Sequence, residues 1–173
     1  ALKGRTMAAR AIRGTVARFR GDPFGAAGRE ALVFEEDQLI LIEDGVIASI
    51  APAEEALGAL PSDVPVDHYP RAILSPGFID AHTHDDQAVL CGPACMLCRV
   101  SQGVTTVVIG NCGISIAPVA MSERAPPPMD GVVHPEWSIF DSFAAFADRL
   151  RQTPSSVNTV ALIGHMSLRV GAM

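Results

Sequence analysis

Long apolar runs are missing from this sequence of 173 residues. No stretch approaches the roughly 18 or more apolar residues of a transmembrane helix, so neither a membrane span nor a membrane partner is expected. Excess positive charge is missing too. Thirteen Lys and Arg stand against nineteen Asp and Glu, for a net charge of -6. The basic patch of a nucleic-acid-binding domain is therefore not expected. The first twenty residues lack any acid and hold Lys3, Arg5, Arg10, Arg13, Arg18 and Arg20, a composition like that of a transit peptide. No apolar core of a secretory signal follows, and an exposed leader running into a first strand at residues 11–19 is the simpler reading. Cysteine is sparse: Cys91, Cys95, Cys98 and Cys112 make four. Without a secretory signal they are expected as reduced thiols in a cytoplasm. No internal repeat of fixed period is present.

Apolar residues make up 49% of the chain, enough for a buried core. Residues 38–50 contain two β-rich runs around Asp44-Gly45, and this dipeptide predicts a tight hairpin because a type I′ turn needs positive φ at both central positions. A short helix is expected at 53–60, closed by Pro61, after which Pro65 and Pro70 keep the chain extended or looped. The texture changes near residue 73. A strand leading into residue 84 is followed by an expected helix at 87–101. Residues 104–109 then form an apolar, β-branched run of the kind buried on both faces of a sheet. A loop spans 120–137. Phe143, Phe146 and Leu150 share one face of an expected helix at 139–151, with Ser138 or Asp141 as its cap. A third apolar run occupies 159–163.

Alternating strands and helices imply an α/β fold with a parallel sheet. A full (β/α)8 barrel needs about 250 residues. The expectation is therefore an incomplete barrel, its first three strands, at residues 73–173.

His82 and His84 are two apart, so on a strand both imidazoles leave the same face. Their place after an apolar strand is where barrel active sites lie. They are expected to ligate one metal ion; the plainer alternative is a pair of turn histidines capped by Asp85 and Asp86. Asp80 shares their parity. It suits either a partner fixing an imidazole tautomer or a hydrogen bond to nearby backbone. Cys112, in Ile-Gly-Asn-Cys-Gly, follows the second strand. A thiolate there suits Zn²⁺, and a buried apolar cysteine is the alternative. Cys91, Cys95 and Cys98 fall at i, i+4 and i+7, one face of the expected helix, and are read as packing residues without a disulfide. His165, after the third strand, is a candidate for substrate binding or a structural histidine. His68 and His134 sit in loops.

The segment Pro76-Gly-Phe-Ile-Asp-Ala-His-Thr-His84 resembles the first barrel strand of the amidohydrolase superfamily, which implies that residues 1–72, ahead of the barrel, are part of a small β-sandwich domain. Residues 75–173 resemble N-acyl-D-amino-acid deacylases, the D-aminoacylases, through His-Thr-His-Asp-Asp (82–86), Ser-Gln-Gly-Val-Thr-Thr-Val-Val (101–108), Gly-Asn-Cys-Gly-Ile-Ser (110–115) and Gly-His-Met-Ser-Leu-Arg (164–169). The resemblance implies a Zn²⁺ cofactor bound by His82, His84 and Cys112. It also implies a small-molecule substrate, and hydrolysis of the amide of N-acyl-D-amino acids. The Asp expected to act as general base and acid would lie beyond Met173, leaving this chain catalytically incomplete. Residues 10–70 are instead similar to the N-terminal segment of bacterial guanine deaminases, through Arg-Ala-Ile-Arg-Gly-Thr-Val (10–16), Gly-Asp-Pro-Phe (21–24) and Leu-Pro-Ser-Asp-Val-Pro-Val-Asp (60–67). A guanine deaminase-type enzyme and a truncated, non-catalytic product are the alternative expectations.

Overall fold

The computed structural model describes residues 9–26, 28–119, 125–133 and 140–172. The chain divides into two compact units, Ala1–Pro76 and Gly77–Met173, of mixed α/β structure.

The first unit is a four-stranded sheet in the order β3-β2-β1-β4, built from β1 (Arg10–Phe19), β2 (Leu32–Glu43), β3 (Val46–Pro52) and β4 (Val66–Leu74). β2 pairs antiparallel with both β1 and β3, while β4 runs parallel to β1. The β2–β3 hairpin turns at Asp44 and Gly45, both at positive φ, 49° and 79°. That is the conformation expected of Asp-Gly. The helix expected at 53–60 is a single α-turn, α1 (Ala53–Ala56), followed by a 3-10 turn at Leu57–Ala59. Its Ala53 packs with Ala11 and Leu39 in a small core. The strand surfaces carry ion pairs, Arg13 with Asp37 at 2.6 Å and Glu35 between Arg18 and Arg20.

The second unit holds three parallel strands in the order β5-β6-β7: β5 (Phe78–Thr83), β6 (Val104–Ile109) and β7 (Asn158–Ala161). Between β5 and β6 the structure departs from expectation. In place of one helix over 87–101 there are 3-10 turns at Ala88–Leu90 and Pro93–Met96, then a short α2 (Leu97–Val100). Gly92, at φ 95°, and Pro93 account for the break. Proline lacks the N–H that a continuing helix needs and steers the preceding residue away from helical backbone. Without a continuous helix there is no shared helical face, and Cys91, Cys95 and Cys98 are exposed free thiols rather than packing residues.

β6 also differs from expectation. Val107 and Ile109 are buried while Thr106 and Val108 are half-buried, so one face carries most of the packing. That face belongs to a core containing Val89, Met96, Ile116, Met129 and Phe146. Phe146 meets Phe140 edge-on, ring centroids 5.3 Å apart. It lies on α3 (Phe143–Gln152), which starts later than expected because Ser142 is the cap, its Oγ accepting the Ala145 N–H at 3.2 Å. Ser138, like His134, lies outside the described residues. A last helix, α4 (His165–Gly171), follows β7. Among the described residues no helix is long and apolar enough to cross a membrane.

Candidate metal centre

Side chains on a strand alternate in direction, and β5 uses this at its C-terminal end. Thr83 is buried, while His82 and His84 on either side of it are exposed on the opposite face. Cys112 arrives from the next strand. After β6 the chain makes a tight turn closed by the Gly113 N–H donating to the Gly110 carbonyl at 3.1 Å. Gly110 and Gly113 both sit at positive φ, 80° and 93°. A Cβ on Gly110 would stand 2.2 Å from the Leu162 carbonyl oxygen, so glycine lets this turn lie against the segment after β7.

The turn places one ligand atom each from His82, His84 and Cys112 within 4.8 Å of one another. His84 Nδ1 and Cys112 Sγ are 3.8 Å apart. The two imidazole rings meet at 61° with centroids 5.6 Å apart. Ligands held about 2.0–2.3 Å from a tetrahedral Zn²⁺ lie roughly 3.3–3.8 Å from each other. The His84–Cys112 spacing already falls there, and two nitrogens with a sulfur are a donor set zinc favours. The residues present therefore fit such an ion.

Asp80 does not reach an imidazole. Its Oδ1 accepts the backbone N–H of His82 at 3.2 Å, the second of its two expected roles. Its Oδ2 accepts from Arg99 Nη1 at 3.1 Å, and Arg99 Nε stands 2.8 Å from Asp85 Oδ2. The close pairing with Asp85, with added charge from Asp80, raises the Arg99 pKa against the opposing effect of burial. Arg99 thus braces both flanks of the histidine segment.

Asp86, a cap in the alternative reading of the histidine pair, is buried. It is 1% exposed, and among the described residues neither carboxylate oxygen has a hydrogen-bond partner. Burial pushes its pKa up to about 6, although the nearby backbone N–H groups of Asp86 and Ile116 and the charge of His84 pull the other way.

A second connection lies behind the cysteine turn. Ser167 Oγ accepts the Ser115 N–H and donates to the Ser115 carbonyl, both at 2.8 Å. Ser115 Oγ accepts the Gly164 N–H at 2.9 Å and donates to the Ala117 carbonyl at 2.7 Å. The Met166 N–H donates to the Gly113 carbonyl at 2.8 Å. His165, the first residue of α4, is exposed and is not part of the converging group. His68 is exposed on β4, in the first unit. Sequence reasoning did not single out Arg99, Ser115 or Ser167. Their roles depend on partners from 14 to 52 residues away, for which periodicity gives no signal.

No family model matches the chain. Over 110 residues it is 48% identical to an N-acyl-D-aspartate deacylase of Alcaligenes xylosoxydans xylosoxydans, covering 64% of this chain and 22% of that protein. The crystal structure of a D-aminoacylase, described as defining a novel subset of amidohydrolases, aligns with TM-score 0.75 and 33% identity, over 95% of this chain and 31% of that one. An N-acyl-D-glutamate deacylase from Bordetella bronchiseptica, crystallised with zinc and a phosphonate mimic of the tetrahedral intermediate, aligns with TM-score 0.73 and 31% identity over 94% and 31%. A guanine deaminase from Bradyrhizobium japonicum is a weaker neighbour, with TM-score 0.50 and 26% identity over 59% and 29%. The chain is thus similar to D-aminoacylase-type amidohydrolases and spans between about a fifth and a third of their length.

Proposed function

We propose that this chain carries the first metal ligands of a zinc-dependent hydrolase that cleaves the amide bond of N-acyl-D-amino acids. The observation that carries the reading is the convergence of His82, His84 and Cys112 at the C-terminal edge of a parallel sheet. In this reading residues 73–173 are the first three strands of a (β/α)8 barrel and residues 1–72 belong to a small β-sandwich.

Zn²⁺ held by these three residues would supply Lewis-acid polarisation of the scissile carbonyl and lower the pKa of a water towards neutrality. The protein's own part is positional. Asp80 fixes the backbone of His82, Arg99 ties Asp80 to Asp85, and the turn at Gly110–Gly113 brings the Cys112 thiol to the histidines. In this reading the carboxylate that would exchange protons with the substrate, and further ligands, come from outside these 173 residues, which span between about a fifth and a third of the relatives' length. The 173-residue chain alone is accordingly expected to show no deacylase turnover.

The similarity of residues 10–70 to guanine deaminases, and the weaker structural neighbour of that kind, favour a second reading in which the substrate is a purine. A chimera separates the two. Residues 77–173 replace the matching segment of the Alcaligenes N-acyl-D-aspartate deacylase, and the product is assayed side by side on N-acyl-D-aspartate and on guanine, with and without Cys112→Ala. Deacylation that is lost in Cys112→Ala is expected. A folded chimera that deaminates guanine, or one whose deacylation survives Cys112→Ala, would overturn the proposal.

A further inference from the structure

We propose that Asn111 is a positioning residue for Cys112, aiming its thiol at the two histidines before any ion arrives. The inference rests on the reading of Cys112 as a ligand. Asn111 Nδ2 donates to the Ala81 carbonyl at 2.8 Å, spanning 30 residues of sequence. Ala81 immediately precedes His82 on β5. The contact therefore joins the residue before the cysteine to the residue before the first histidine.

The place of this bond in the sheet gives it weight. The β5–β6 register shifts between the pairs Asp80–Val107 and Thr83–Ile109, so the ladder is irregular over Ala81 and His82. The Asn111 amide ties the turn after β6 to β5 within that irregular span. Asn111 and Cys112 are also the two central residues of the turn closed from Gly113 to Gly110. A turn so short has few ways to redirect one central side chain while the other stays anchored. The far flank is tied as well, by the Met166 N–H on the Gly113 carbonyl. With Asn111 removed, the turn keeps its anchor to α4 and loses the one to the histidine strand. The thiol would then hold its average place less tightly, and the ion would have to order it on binding.

A residue of this kind differs from an ordinary turn asparagine, which would affect folding and leave metal affinity alone. The experiment uses the full chain with Cys91, Cys95 and Cys98 replaced by Ser, leaving Cys112 as the single thiol. Co²⁺ is titrated into this background and into Asn111→Ala, following the thiolate-to-cobalt charge-transfer absorption. Urea unfolding of both metal-free proteins is followed in parallel. Outer groups that orient metal ligands typically govern affinity by about 10–100-fold. The expected result is Co²⁺ binding weakened about 10-fold or more in Asn111→Ala, with the metal-free midpoint nearly unchanged. Unaltered Co²⁺ affinity would overturn the inference, as would a loss of affinity fully matched by a loss of metal-free stability. The ligand reading fails separately: the background protein would then show no charge-transfer band, or Cys112→Ser would bind Co²⁺ as tightly as the background.

Discussion

Gly164 lies against the backbone of Gly113 so closely that a Cβ on it would stand 2.5 Å from the Gly113 carbonyl oxygen and 2.7 Å from the Ser115 nitrogen. Both neighbours are backbone, so neither can swing aside as a side-chain tip would. Gly164→Ala is expected to destabilise the second unit by about 2 kcal/mol or more, within the range of strongly destabilising substitutions. Gly131→Ala, where a Cβ meets nothing among the described residues within 4 Å, is the control and should change little. Equal urea midpoints for the two variants would refute the close approach.

Ser167 is wholly buried and satisfies both backbone groups of Ser115 with one hydroxyl. Ser167→Ala removes little volume but leaves that N–H and carbonyl unpaired, and an unsatisfied buried group costs about 1–3 kcal/mol. A loss of this size is expected in urea unfolding. A neutral substitution would mean that the hydroxyl does not carry these bonds.

All four thiols are exposed. Ellman's reagent should therefore titrate four thiols in the native protein without denaturant, Cys95 more slowly because burial and the neighbouring Cys91 raise its pKa. Prompt reaction of Cys112 alone, with Cys91, Cys95 and Cys98 protected until unfolding, would restore a packed helix in that region.

Glu35 is held below the usual glutamate range, chiefly by its hydrogen bond from Arg18, against the opposing effect of burial. A depressed folded-state pKa means that the unfolded chain binds more protons in this window, so stability rises with pH there. The contribution is present above the unfolded value near 4.5 and is lost as pH falls through the lowered one. Glu35→Gln should flatten the urea midpoint of the first unit between about pH 5 and pH 3. The same acid slope in wild type and variant would argue against the pairing with Arg18 in solution.

The convergence of His82, His84 and Cys112 was legible because it follows from the two-residue period of a strand and from the shared end of neighbouring parallel strands. The Asp44-Gly45 hairpin was legible because few dipeptides adopt two positive φ values. The helix assigned to 87–101 failed at Gly92-Pro93. That dipeptide is a strong local breaker signal inside the expected helix, and the packing role of the three cysteines depended on the helix. The burial of Asp86 had no local signal, since nothing in the sequence separates it from the half-buried Asp85 beside it. The Ser115–Ser167 bonds span 52 residues and exist only once the loops after β6 and β7 meet.

Arg99 contacts Asp80 and Asp85 at once, and those residues bracket the two histidines. One cation shared by two anions makes their contributions interdependent. Once Asp80 is neutralised, Arg99 is free to settle fully on Asp85, and the reverse holds as well. In a double-mutant cycle, Asp80→Asn and Asp85→Asn should therefore be non-additive, with a coupling energy on the order of 0.5–3 kcal/mol, as for residues within one charged network. The histidine segment then behaves as a single cooperative piece, whose two ends cannot be tuned independently by substitution.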